Sequence, residues 1–185
     1  TVWYADATKN MCCMGKACNM GFNMSVQGSA TSTDTGVNVA TGDVNGDGIP
    51  DLVASNYINT NKTAYVIWGT KSGWPVKAML SKSYLDDSVG SGIFIVGTTT
   101  DFGRTLAVAD VNSDGYDDIV LGGKRVNVVF GKAKASFPSP LDATALNGTD
   151  GMRIAYGTTI ADARSIAIGD INNDGIKDVL FYGGL

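Results

Sequence analysis

The chain has 185 residues, 44% apolar and 17% charged, with a net charge of −4 and no histidine. That composition excludes a disordered chain, and the lack of clustered Lys and Arg excludes nucleic-acid binding. No run of about eighteen apolar residues offers a membrane span, and without histidine neither a Ser-His-Asp nor a Cys-His pair can form.

The chain opens with TVWYADA, which resembles YVIWGTK and VVFGKAK downstream and predicts a strand. No basic segment leading into an apolar one starts it, so no signal peptide is expected in these residues. The abrupt ends, Thr1 and Leu185, fit a piece of a longer precursor. Next comes MCCMGKAC with all three cysteines, Cys12, Cys13 and Cys18. Zinc would need four Cys or His ligands. The expectation is one local disulfide from Cys18 to Cys12 or Cys13, with the third thiol free or bonded to another chain; three buried reduced cysteines are the alternative. MGFNMSVQG follows and resembles the later DGMRIAYG, a second strand.

From here the chain repeats. GDVNGDGIPDLV, ADVNSDGYDDIV and GDINNDGIKDVL begin their acidic pattern at Asp43, Asp110 and Asp170, spacings of 67 and 60 residues. Before each, bulky residues alternate with small ones. Val39 and Thr41, Leu106 and Val108, and Ile166 and Ile168 fall on one face; Ala40 and Gly42, Ala107 and Ala109, and Ala167 and Gly169 fall on the other. Period two is a strand. After each loop, DLVAS, DIVLG and DVLFY are apolar on both faces and predict strands covered on both sides. A third strand is read in TAYVIWG and VNVVFG, a fourth in SGIFIVG and DGMRIAYG. At most a helical turn is expected near KAMLSKSYLDD. The repeat divides the chain into two four-stranded units, 36–97 and 104–157. Residues 1–30 read as strands three and four of an incomplete unit with a Cys-rich loop, and 164–185 as strands one and two of a final one.

All eighteen acidic residues are aspartate, and the three loops hold ten of them. Position 1 is Asp43, Asp110 or Asp170; position 3 is Asn45, Asn112 or Asn172; position 5 is Asp47, Asp114 or Asp174; position 9 is Asp51, Asp118 or Asp178. Alternate spacing lets side chains 1, 3 and 5 converge. Gly48, Gly115 and Gly175 at position 6 permit a left-handed turn. The carbonyl of Ile49, Tyr116 or Ile176 and the position 9 carboxylate then close the shell. Three carboxylates this close repel unless a cation joins them, and six or more hard oxygens in a flexible loop suit Ca²⁺. An Asp/Asn/Gly turn without metal is the plain alternative, weakened by three copies in register. An EF-hand is excluded: position 12 holds Ala54, Leu121 or Phe181 instead of a bidentate Glu, and strands flank the loops.

These residues resemble the FG-GAP repeat, the blade unit of integrin alpha-type propellers. Phe102-Gly103 matches its opening, where the other copies have Thr35-Gly36 and Asp162-Ala163. The Gly-Ala-Pro end is degraded to Ser55-Asn56-Tyr57, Gly122-Gly123-Lys124 and Tyr182-Gly183-Gly184. The segment from Val128 to Ile154 resembles the linker between third and fourth strands in bacterial-type members. The resemblance implies an all-β propeller of four-stranded antiparallel blades, here an incomplete ring of two blades and two complementary half-blades. It implies calcium at three loops on one rim, and adhesion or scaffolding as the role.

The leading expectation is a non-catalytic, calcium-binding extracellular module with other protein chains as partners, bound in adhesion or self-assembled head to tail into a ring or filament by strand complementation, the N-terminal strand pair of one chain completing the final half-blade of the next. Three sequons, at Asn23, Asn61 and Asn147, favour a secreted glycoprotein. The alternative is a carbohydrate-binding module or a fragment of a larger surface protein. Trp74, in a loop, is the better stacking candidate, while Trp3 and Trp68 fall at core strand positions. Paired acids at Asp86-Asp87 are the weak enzyme candidate and read as a solvated turn.

Overall fold

A computed structural model describes residues 12–13, 16–17, 25–28, 37–57, 62–71, 77–80, 91–97, 99, 101–154 and 162–184. These residues are all-β apart from a 3₁₀ turn at Lys134–Ser136, and among them no helix is long and apolar enough to cross a membrane. Strands β1 (Cys12–Cys13) and β2 (Lys16–Ala17) form a short antiparallel ladder. β3 (Ser25–Gly28) pairs in parallel with β7 (Lys77–Leu80). That pairing departs from the expectation twice. The MGFNMSVQG strand finds a parallel partner, and Lys77–Leu80 is strand where a helical turn was expected. The TVWYADA segment, Trp3, Trp74, Asp86, Asp87, Asn23 and Asn61 lie outside the described residues, as do the three cysteine side chains.

The first large sheet is a meander of β4 (Val37–Gly42), β5 (Asp51–Asn56), β6 (Thr63–Ile67) and β8 (Gly92–Val96), each antiparallel to the next. The second is β9 (Thr105–Ala109), β10 (Asp118–Gly122), β11 (Val126–Val129) and β13 (Gly151–Ile154). β14 (Asp162–Gly169) and β15 (Asp178–Gly184) form an antiparallel pair with a register shift between Ala163 and Ser165. The first two sheets are blades 1 and 2, and the pair is the two-stranded unit.

The alternation before each acidic loop explains how blades stack. Leu106 and Val108 of β9 pack, with Ile119, Leu121 and Val129 of the same blade, against Val53, Val66 and Ile95 of blade 1 in one shared core. Ala107, on the opposite face, lies with Val120, Val126 and Val128, and Ile166 and Ile168 of β14 pack against that group. A bulky face therefore points to the preceding blade and a small face to the following one. The fit is close: a Cβ added at Gly42 would strike Val108 Cγ1. β10 is buried at every residue, as a strand covered on both faces must be.

A further strand ties the blades together. β12 (Leu141–Asp142) lies in the linker between β11 and β13 and pairs in parallel with β8 on the outer edge of blade 1. The same linker buries Phe137, Leu141, Ala143 and Leu146 in the blade 1 core, with the Phe137 ring 5.4 Å from that of Trp68. Trp68 is 4% exposed and is core. Blade 2 thus covers the edge of blade 1, which would otherwise template strand addition.

Candidate metal centre

Each acidic loop leaves the first strand of its unit and enters the second, so its geometry is fixed at both ends by an antiparallel ladder. Glycine at position 6 has φ of +80°, +89° and +87° in the three loops. A Cβ there would meet nothing within 4 Å, so backbone conformation alone demands the glycine. Position 4, which the motif reading passed over, is also left-handed, at Gly46, Ser113 and Asn173 with φ of +72°, +61° and +61°.

The same hydrogen bonds recur in all three loops. The position 5 N–H donates to Oδ1 of position 1 at 3.0, 3.2 and 3.1 Å and to Oδ1 of position 3 at 2.9, 3.0 and 2.9 Å. Sharing one donor brings those two side-chain oxygens together on the rim. The position 6 N–H donates to the other oxygen of position 1 at 2.8, 3.0 and 2.8 Å. The position 7 N–H of Ile49, Tyr116 or Ile176 donates to Oδ1 of position 5 at 2.9, 2.9 and 2.8 Å.

Position 9 is placed differently. Asp51 and Asp118 are fully buried. Oδ2 of Asp51, Asp118 and Asp178 accepts from the N–H of Val44, Val111 and Ile171 at 3.0, 2.9 and 3.0 Å. Oδ1 of Asp51 and Asp118 accepts from Gly69 and Gly131, just past the third strand, at 2.8 Å in both. This carboxylate ties the loop to two strands. Among the described residues, no three acidic or thiol side chains stand as a closed metal cage. Side chains 1 and 3 are gathered, while position 9 is turned to backbone amides.

Electrostatics link the two parts. Burial pushes the Asp51 and Asp118 carboxyls up to about 6, against the pull of their backbone donors. The charge of Asp47 raises Asp51 further, and those of Asp114 and Asp110 raise Asp118. The loop carboxylates therefore act on the buried one, and a divalent cation among them would relieve the repulsion. Hard carboxylate, amide and carbonyl oxygens at these positions fit Ca²⁺ in chemistry.

Loops 1 and 2 interlock. Asp117, at position 8, accepts from the N–H of Asp43 at 2.8 Å and of Asp110 at 2.9 Å, so one carboxylate braces the starts of both loops. Its own N–H donates to the Asp43 carbonyl at 3.0 Å. The Tyr116 ring covers Gly46, where a Cβ would lie 2.5 Å from Cε1. Position 8 is Pro50 in loop 1 and Lys177 in loop 3, so repeat matching gave no signal for Asp117.

The blade junction repeats as well. Gly103 has φ of +77°, and its carbonyl accepts from Ser55 Oγ at 2.7 Å and Asn38 Nδ2 at 3.0 Å of blade 1. At the next junction the Ala163 carbonyl accepts from Thr105 Oγ1 at 3.4 Å. The FG-GAP repeat model matches residues 35–67 and 102–132, spanning the first two loops and the Phe102-Gly103 junction. The chain carries FG-GAP repeats. Integrin alpha-3 of Mus musculus is 37% identical over 89 residues, 42% of this chain and 8% of that protein's length. In FG-GAP terms, the Phe-Gly pair docks a blade on its predecessor, and the acidic loop follows from the strand so placed.

Position 9 gives a direct mutational contrast in calcium-free solution. An Asn at 51 must aim its NH₂ at a backbone N–H, because both oxygens of Asp51 accept. Asp51→Asn is expected to destabilise by about 2–3 kcal/mol. Asp178 Oδ1 has no partner among the described residues, so Asp178→Asn is expected to change stability by under about 0.5 kcal/mol. Urea unfolding in chelator measures both; equal effects would contradict the tie described for Asp51.

Proposed function

We propose that the chain is a non-catalytic, calcium-stabilised module of an extracellular adhesion or scaffolding protein. The observation that carries this is the set of backbone hydrogen bonds common to the three loops, which presents the same oxygen donors at Asp43, Asn45 and Asp47, at Asp110, Asn112 and Asp114, and at Asp170, Asn172 and Asp174. One Ca²⁺ in each loop would use these, the carbonyl of Ile49, Tyr116 or Ile176, and the carboxylate of Asp51, Asp118 or Asp178 after it turns from its amides. Three ions add +6 to a net charge of −4, giving +2. Loops of this kind bind at about 10⁻⁴ to 10⁻³ M in extracellular modules, so they fill outside a cell. The likeness to integrin alpha-3 supports a surface role with protein partners. Asn147 is exposed, with its Oδ1 accepting from the Thr149 N–H at 3.1 Å, a conformation open to glycosylation.

The assembly we propose is head to tail. The face of β14 and β15 directed away from blade 2 carries Leu180, 39% exposed, and Tyr182, 69% exposed. The face of β4 directed away from blade 2 carries Val39, 59% exposed. By the stacking rule above, the first is a small-faced surface awaiting a following blade and the second a bulky face awaiting a preceding one. A heterologous contact of this sort yields a ring or a filament. Light scattering of the calcium-loaded chain tests it. Masses at multiples of the protomer, reduced to the monomer by Tyr182→Asp, are expected. A monodisperse monomer at high concentration in calcium would end the assembly reading.

A further inference from the structure

Between blades 1 and 2, at the third and fourth strands, the repeat breaks its own apolar pattern. In blade 1 the cross-strand partners Tyr65 and Phe94 are 8% and 6% exposed. The corresponding pair in blade 2 is Asn127 and Arg153. Asn127 is 5% exposed in a strand otherwise made of buried valines. Among the described residues its side-chain amide has no hydrogen-bond partner. Its polar atoms are not sealed in packed core but open on the space between the blades. An amide in a strand of valines, facing such a space, offers a donor and an acceptor to a ligand.

That ligand has a place. Asn127 lines a cavity of about 120 Å³ together with Thr99, Arg125 and Arg153. Arg125 and Arg153 also line an adjoining, more open cavity of about 400 Å³, with Leu146, Asn147 and Met152 at its rim. Arg104 pairs with Asp101 and Asp162, but neither Arg125 nor Arg153 has a carboxylate within 4.0 Å among the described residues. Asp142 is the acidic group that feels Arg153, and its own carboxylate is held by the Thr144 N–H at 2.8 Å and hydroxyl at 2.7 Å. Two guanidinium groups without a carboxylate partner among the described residues therefore line the same cavity as the Asn127 amide.

We propose that this interblade cavity binds an acidic saccharide unit, with its carboxylate or sulfate on Arg125 and Arg153 and a neighbouring hydroxyl on Asn127. Guanidinium forks match planar or tetrahedral oxyanions. The inner cavity accepts one such group and the outer one a sugar ring. The amide both donates and accepts, and a hydroxyl beside the acid group answers both; the side-chain carboxylate of an acidic peptide offers no donor. The site uses none of the loop residues, so its failure leaves the calcium reading untouched.

Titration calorimetry of the calcium-loaded chain tests it with four probes: glucuronate, a sulfated disaccharide, the same disaccharide unsulfated, and a glutamate-rich peptide. Saturable binding of either acidic saccharide is expected, with the neutral sugar at least tenfold weaker. Arg153→Gln and Asn127→Leu are each expected to weaken binding at least tenfold while melting within a few degrees of the parent. Arg125→Gln, at an exposed position, carries the test if either of those fails to fold. No saturable binding, binding of the peptide alone, or undiminished binding in Arg125→Gln and Arg153→Gln would each overturn the proposal.

Discussion

Removing calcium is expected to lower the melting temperature by roughly 10–25 °C relative to the same protein in about 10 mM calcium. If each loop binds at about 10⁻⁴ to 10⁻³ M, that concentration stabilises the folded chain by about 1.4–2.7 kcal/mol per site. Three sites give on the order of 4–8 kcal/mol. The structure indicates where the effect acts. The loops join the first two strands of each unit, and Asp117 braces loop 1 to loop 2. Repulsion within one loop is therefore felt at the junction between blades. Magnesium at the same concentration is expected to do far less, because it resists giving up its water for a flexible shell. Differential scanning calorimetry in calcium, magnesium and chelator measures the shift. A shift under about 3 °C would mean that the loops are turns that need no metal.

Phe102→Ala is expected to cost about 3–5 kcal/mol. Phe102 precedes the first strand of blade 2, and its ring, 2% exposed, lies in the core shared by blades 1 and 2. It lies against Gly97 at the end of β8, where a Cβ would strike the ring. Gly103, in its left-handed turn, then brings its carbonyl to Ser55 and Asn38. The phenyl ring thus holds the polar junction in register. Removing it should leave a cavity between blades and lower the melting point by about 6–20 °C at the usual scaling for a chain of this size. Denaturant unfolding with a matched far-UV baseline checks it; a loss under about 1 kcal/mol would show that the Phe-Gly pair is not what joins the blades. At the next junction Asp162 takes this position, and its Oδ1 is buried without a partner. Its other oxygen pairs with Arg104 at 3.7 Å, so a charge pair stands where the phenyl ring stands at the first junction.

Much of the blade was legible because its signals are local. Leu106 and Val108 alternating with Ala107 announce a strand with unequal faces, and the structure puts the large face on the preceding blade. An acidic loop with glycine at position 6 announces a left-handed turn, and φ is positive at Gly48, Gly115 and Gly175. What stayed hidden depends on partners distant in sequence. β12 is two residues in a Pro- and Ser-containing linker, too short to show a period, and exists because Leu141 and its neighbours cap the blade 1 edge. The β3–β7 pairing joins segments about fifty residues apart, and nothing local in KAMLSKSYLDD distinguishes strand from turn. Asp117 reads as one more acid in an acidic loop; its work lies across the blade interface. Position 9 reads as a rim ligand, while the structure sets it inside, on an amide at the start of its own loop and, in loops 1 and 2, on one just past the third strand.

Three equivalent loops are each expected to take one divalent cation. Calcium titration calorimetry, with bound metal counted by elemental analysis after dialysis, tests that most directly. Three calcium ions per chain are expected, falling to two in Asp47→Ala, in Asp114→Ala and in Asp174→Ala alike. No bound calcium, or an ion count unchanged by all three substitutions, would contradict the account.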